Sequence, residues 1–164
     1  MNLCQRFNSA FPAIWYVGFI NPAFDYKAMS DKRFLAFALV SWFILMVFAI
    51  VNAGIREGFY VNFLNELQAH QMSTFTLMVI IVLYTYVLLR FSGYDITERQ
   101  AVTMGGIWFI MTVAFEFLAG HYVFGSSWDE LWGSYNILNG RVWALIPISV
   151  LLAPLIIKRI ISEA

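Results

Sequence analysis

Four apolar runs, at about residues 34–52, 73–91, 102–120 and 142–157, constrain this chain more than any other feature. Crossing roughly 30 Å of hydrocarbon takes about 20 helical residues, so each run is of spanning length. A water-soluble fold is excluded by what would remain to cover it. Hydrophobic residues make up 61% of the 164-residue chain and charged residues 12%, and the mean hydropathy is +0.72, well outside the range of soluble domains. The expected fold is an all-α membrane protein, a four-transmembrane-helix bundle. Residues 1–33 form a cytoplasmic or interfacial N-terminal segment and residues 34–164 the four-helix domain.

Local signals place the ends of the runs. Ser30-Asp31 caps the first, Ser73 starts the second and Ser92-Gly93 ends it, Thr97 with Glu98 leads into the third, and Asn139-Gly140 precedes the fourth. Pro147 and Pro154 remove backbone donors from the fourth helix and bend it. Gly105, Gly106, Ala114 and Gly120 allow close approach along the third. In the N-terminal segment, Pro12 and Gly18 interrupt the stretch that follows Arg6, and no clean cleavage site follows. Its aromatics and prolines suit a retained segment lying along the membrane interface. The single cysteine, Cys4, excludes an internal disulfide and a cysteine-built metal cage.

The cations orient the bundle. Arg6, Lys27, Lys32, Arg33, Arg90, Arg99, Lys158 and Arg159 lie on one side and only Arg56 and Arg141 on the other. The positive-inside rule then makes both termini cytoplasmic. Connections 53–72 and 121–141 share the extracytoplasmic face, which brings sequence-distant polar groups together. Arg56 and Arg141 set against Glu57, Glu66, Glu116, Asp129 and Glu130 give that face a formal charge of two minus five, or minus three. Such a face favours a cation over an anion.

Glu116 is the sharpest signal, because a carboxylate about one turn inside an apolar helix needs a partner or a proton. Arg141 and Arg56, at the outer ends of other helices, are the natural partners. The structural reading is an ion pair holding helix ends together; the functional one is proton relay, ligand contact or catalysis; snorkelling to the headgroups is a third. His70 and His121, with Glu116, are the candidate metal ligands, although their spacing matches no dense ligand motif. The alternative is that the histidines donate hydrogen bonds in an interfacial network. No cofactor is specified. Residues SSWDELWGSYN predict a short amphipathic surface helix, with Ser127 and Glu130 as a capping box and Trp128, Leu131 and Trp132 dipping into the interface. Its aromatics also suit the wall of a lipid or quinone pocket. The candidate binding residues are therefore Arg56, Glu57, His70, Glu116, His121, Trp128, Asn136 and Arg141.

These positions carry a resemblance. Asn52, Arg56 and Glu57; Ala69, His70 and Ser73; Phe115, Glu116, Phe117, Gly120 and His121; and Ser127, Trp128, Leu131, Tyr135, Asn136, Gly140, Arg141 and Trp143 resemble the pattern of an uncharacterised family of small bacterial four-helix integral membrane proteins. The resemblance covers about residues 50–145 and departs at Ala53, where the pattern has glycine. The Trp132 to Arg141 stretch is more weakly similar to small bacterial proteins labelled as ABC-transporter components. The resemblance implies a bacterial inner-membrane location and no particular activity.

Three functions are compatible with these residues. The first is a binding or accessory membrane protein whose outer-face site takes a lipid headgroup, a small solute or a partner subunit. The second is a small proton- or cation-coupled transporter, prompted by Glu116 and the proline-bent fourth helix. The third is a membrane enzyme acting on lipid or quinone, with Glu116 or His121 as general base and Arg56 or Arg141 on an anionic group. Expected partners are membrane lipids and a homo-oligomer or partner membrane subunit. Zero net charge points away from nucleic acid.

Overall fold

Polar residues at the ends of the apolar runs continue the helices well past the hydrophobic stretches, so the elements are longer than the runs that seed them. The computed structural model describes residues 27, 28, 30–136 and 140–163; residues 1–26 of the expected N-terminal segment, with Cys4 and Arg6, lie outside them, and its residues 31–33 belong to the first helix. A two-residue strand β1 (Lys27–Ala28) precedes α1 (Asp31–Gly58). A 3₁₀ turn at Tyr60–Asn62 leads to α2 (Glu66–Phe91), then β2 (Tyr94–Asp95) and α3 (Glu98–Tyr122). The short α4 (Trp128–Gly133) and the final α5 (Leu145–Glu163) follow. The four long helices are each long and apolar enough to cross a membrane. β1 pairs in parallel with β2, tying the chain before α1 to the α2–α3 connection.

The caps move one expected boundary, the start of α2. Asn65, not Ser73, opens α2: its side chain accepts from the Gln68 amide at 2.9 Å while the Gln68 side chain reaches back to the Asn65 amide at 3.4 Å. Such a reciprocal box satisfies two amides that a helix start leaves unpaired. Ser73 is instead buried inside α2, where the Asn52 amide group donates to its hydroxyl at 2.7 Å and its carbonyl at 3.0 Å. Thr97 opens α3 as expected, with Glu98 the first helical residue and Gln100 closing the capping box. Ser30 makes no side-chain cap bond. The Ser127–Glu130 box forms as expected. α5 begins at Leu145, so Pro147 lies in its first turn, where a missing amide costs little, and only Pro154 interrupts the interior.

Interhelical bonds and close packing lock the half of the bundle that contains Asp31, Phe91, Glu98 and Glu163, called here the lower half. Trp108, fully buried, donates its indole N–H to the Ala38 carbonyl at 3.0 Å. Tyr84 donates to the Ser41 carbonyl at 2.8 Å, and Trp42 to the Thr112 hydroxyl at 3.0 Å. Each bond joins α1 to a neighbour while hiding a polar group from the apolar interior. α3 and α5 meet most intimately at Gly105, where an added Cβ would lie 2.1 Å from the Leu151 carbonyl oxygen. Of the other small residues expected to allow close approach, Gly120 packs beneath Leu131, whereas Gly106 has open space beside it and Ala114 is exposed. At the lower rim Lys158 pairs with Asp95, and Arg159 with Glu98 at 3.2 Å.

Candidate functional site

The opposite, upper half is not filled. Between α1 and α3 lies a cavity of about 670 Å³, floored by Trp42, Leu45, Leu77, Ile81 and Val150. Small residues on α1 create the space: Ala49, Ala53 and Gly54 line it, and nothing comes within 4 Å of a Cβ built at Gly54. The walls are almost wholly apolar until the rim, where Arg56, Glu57, His70, Glu116, Ser134 and Tyr135 appear. Above it is a second, polar cavity of about 940 Å³, a vestibule bordered by Arg56, Glu57, Glu66, His70, Glu130 and Arg141. Arg56, Glu57, His70, Leu131 and Ser134 line both, so apolar depth and charged vestibule share one rim.

Arg56 organises that rim. It projects from the last turn of α1 and donates from Nε and Nη2 to one oxygen of Glu57, at 3.0 and 2.8 Å. Its Nη1 points at His70 Nδ1, 3.4 Å away. A guanidinium has only donors, so Nδ1 must accept and the proton of the neutral ring sits on Nε2. His70 Nε2 is buried and bonds to nothing in the protein. The ring rests against Trp143, with centroids 5.5 Å apart.

Glu116 has a different partner from those expected. The Tyr135 phenol donates to its carboxylate. Neither arginine reaches it, because Arg56 is captured by its chain neighbour Glu57, and Arg141 faces Glu66 across 4.0 Å. Tyr135 arrives just past α4, stacked on Phe117 at 5.8 Å between centroids. Burial, and secondarily the charge of Glu116, push the phenol above its ordinary value, so it remains the donor of the pair. α4 itself is held over the cavity by Leu131 against Gly120 and by Trp132 on Phe117, 4.8 Å apart.

Five of the eight candidate residues therefore meet around the two cavities: Arg56, Glu57, His70, Glu116 and Arg141. His121, Trp128 and Asn136 border neither. His121 Nδ1 hydrogen-bonds the Ser126 carbonyl at 3.0 Å, and its ring stacks on Trp128 at 4.1 Å, so both brace the α3–α4 turn. Asn136 bonds through its backbone to Gly133. Among the described residues no three His, Cys, Asp or Glu side chains gather as a metal site, so the expected grouping of His70, His121 and Glu116 does not form. Sequence reading did not single out Tyr135, Ser134, Trp143 or Glu130 as site residues. It also passed over the small residues at 49 and 53, one helical turn apart, which signal space on that face. Compared with family models, curated proteins and solved structures, the chain matches none.

Proposed function

We propose that this is a multipass membrane protein that binds an amphiphile at its upper face, apolar portion in the cavity and polar head in the vestibule. The observation that carries the reading is the shared rim: an apolar chamber opens directly into a charged one. A ligand satisfying both must itself be half apolar and half polar. Ligand sites of several hundred Å³ with few, placed polar groups are of the usual size for small-molecule binding.

Lipid as the surrounding solvent is supported by large apolar side chains that α1, α2, α3 and α5 leave exposed, such as Phe43, Val47, Leu83, Ile110 and Ile156. Among the described residues, Lys27, Lys32, Arg33, Arg90, Arg99, Lys158 and Arg159 belong to the lower end and Arg56 and Arg141 to the upper. That asymmetry makes the lower end cytoplasmic and the cavity extracytoplasmic, and the family resemblance makes a bacterial inner membrane the expected setting. The apolar floor favours binding over the transporter alternative, since it offers no polar route downward.

Native mass spectrometry in a mild detergent tests this. Wild type retains an amphiphile mass, and Gly54→Leu, whose side chain enters the open space, loses it while keeping its helical spectrum and melting temperature. A wild type that retains no amphiphile after incubation with membrane lipid extract, or one equally loaded in Gly54→Leu, refutes the reading.

A further inference from the structure

Charge distribution in the vestibule narrows the class of ligand. Two guanidinium groups, Arg56 and Arg141, and three carboxylates, Glu57, Glu66 and Glu130, border the same space. We propose that the headgroup it receives is zwitterionic, a phosphate ester carrying an ammonium group, on a lipid whose acyl part fills the apolar cavity. This rests on the amphiphile reading and adds the identity of the head.

The argument turns on how loosely the upper charges are paired. Arg141 and Glu66 stand 4.0 Å apart with side chains 43% and 92% exposed, a contact that holds little energy and opens readily. A zwitterion exchanges with such a pair without unbalancing it: the phosphate takes the guanidinium and the ammonium takes the carboxylate. A simple anion would add a negative charge beside three carboxylates, whereas a zwitterion leaves the balance of two guanidinium groups against three carboxylates as it stands. A ligand with both signs engages both sets. Glu57 adds to this match, because Arg56 uses only one of its two carboxylate oxygens.

His70 supplies the second, independent observation. Its Nε2–H, fixed by the guanidinium on Nδ1, is a buried donor without a protein acceptor, at the boundary where the apolar and polar cavities join. A buried unpaired donor is costly. In an ester lipid the first polar atoms above the acyl chain are oxygens that only accept, the ester carbonyls and the phosphate. They fall at this boundary, and the imidazole, whose Nε2 is closed off from both cavities in this structure, turns to meet them as the lipid enters.

The headgroup is tested by adding phosphatidylethanolamine, phosphatidylglycerol, diacylglycerol or free phosphoethanolamine to delipidated protein and reading retained mass. Phosphatidylethanolamine is expected to bind about tenfold more tightly than phosphatidylglycerol or diacylglycerol, equivalent to about 1.4 kcal/mol. Arg141→Gln and Glu66→Gln, both at exposed positions that leave the fold intact, each narrow that preference by about threefold, in line with the worth of exposed charge contacts. Equal retention of phosphatidylethanolamine and phosphatidylglycerol, with both lost in Gly54→Leu, overturns the zwitterion while the amphiphile site stands. Retention of no lipid at all overturns both. A preference untouched by either substitution removes the head from this vestibule. Displacement of the lipid by free phosphoethanolamine at equal concentration overturns the lipid source and leaves a soluble zwitterion as ligand.

Discussion

Two glycines define the contrast between the halves of the bundle. At Gly105, in the lower half, a Cβ would fall 2.1 Å from a backbone oxygen of α5; at Gly54, in the upper half, it would meet nothing within 4 Å. The first glycine lets helices touch, and the second leaves room. The same division runs through the polar groups. Below, Lys158 reaches Asp95 in the α2–α3 connection, Arg159 reaches Glu98 at the start of α3, and an indole and a phenol bond across helices. Above, a buried imidazole nitrogen lacks any protein partner and the Arg141–Glu66 pair stands open. Stability is concentrated in one half and unmet binding capacity in the other.

Substitutions can break this contrast or sharpen it. The largest effect is expected at Gly105: Gly105→Ala forces α3 and α5 apart against backbone, costing about 1–3 kcal/mol as overpacking does, read as a lowered melting temperature in detergent. Gly54→Leu should change stability by no more than about 0.5 kcal/mol, as at an unconstrained position, while abolishing ligand retention. If the two glycines respond alike, the division between the halves fails. Next in size is Trp108→Phe, which loses the indole bond to the Ala38 carbonyl, still held by the Ser41 hydroxyl at 3.0 Å, and leaves a void at a fully buried site, costing about 1–3 kcal/mol, again by thermal unfolding. Tyr135→Phe removes the donor to Glu116 and is expected to cost about 1 kcal/mol locally. Faster amide exchange confined to α4 and the turn after it is the check; exchange spread through the bundle would instead make Tyr135 part of the common core. Smallest is Arg159→Gln, where an exposed pair with Glu98 is worth about 0.2–1 kcal/mol, measured as a slight drop in melting temperature that high salt erases.

The four spanning-length helices were legible because hydrophobic run length is a direct consequence of the helical rise. Of their ends, Ser30, Ser92 and Thr97 were legible as caps; the start of α2 was not, because Asn65 with Gln68 lies well outside the apolar run. The pairing of β1 with β2 spans two residues on each side and carries no pattern. At the site, Arg56, Glu57, His70, Glu116 and Arg141 were legible as polar groups brought to one end by topology. Their pairing was hidden. Adjacency decided the fate of Arg56, which folds back on Glu57 before any distant acid can compete. The partner of Glu116 depends on where α4 sets Tyr135 down, a matter of aromatic packing on Phe117 that no spacing rule encodes.

Unequal helix lengths carry a further consequence. α1 has 28 residues and α5 has 19, which at about 1.5 Å per residue is about 42 Å against about 28 Å. A single sheet of hydrocarbon about 30 Å thick matches α5 and is overrun by α1. Where α5 stops, the irregular stretch 140–144 takes its place, with Gly140 accepting from Gln71 on α2 and Trp143 lying on His70. In the proposed bilayer this makes the thickness of the membrane itself a variable of the site. Thinning it leaves more of α1 in the headgroup layer or tilts the longer helices more, so the depth at which the rim meets the lipid surface follows the host membrane rather than the protein alone.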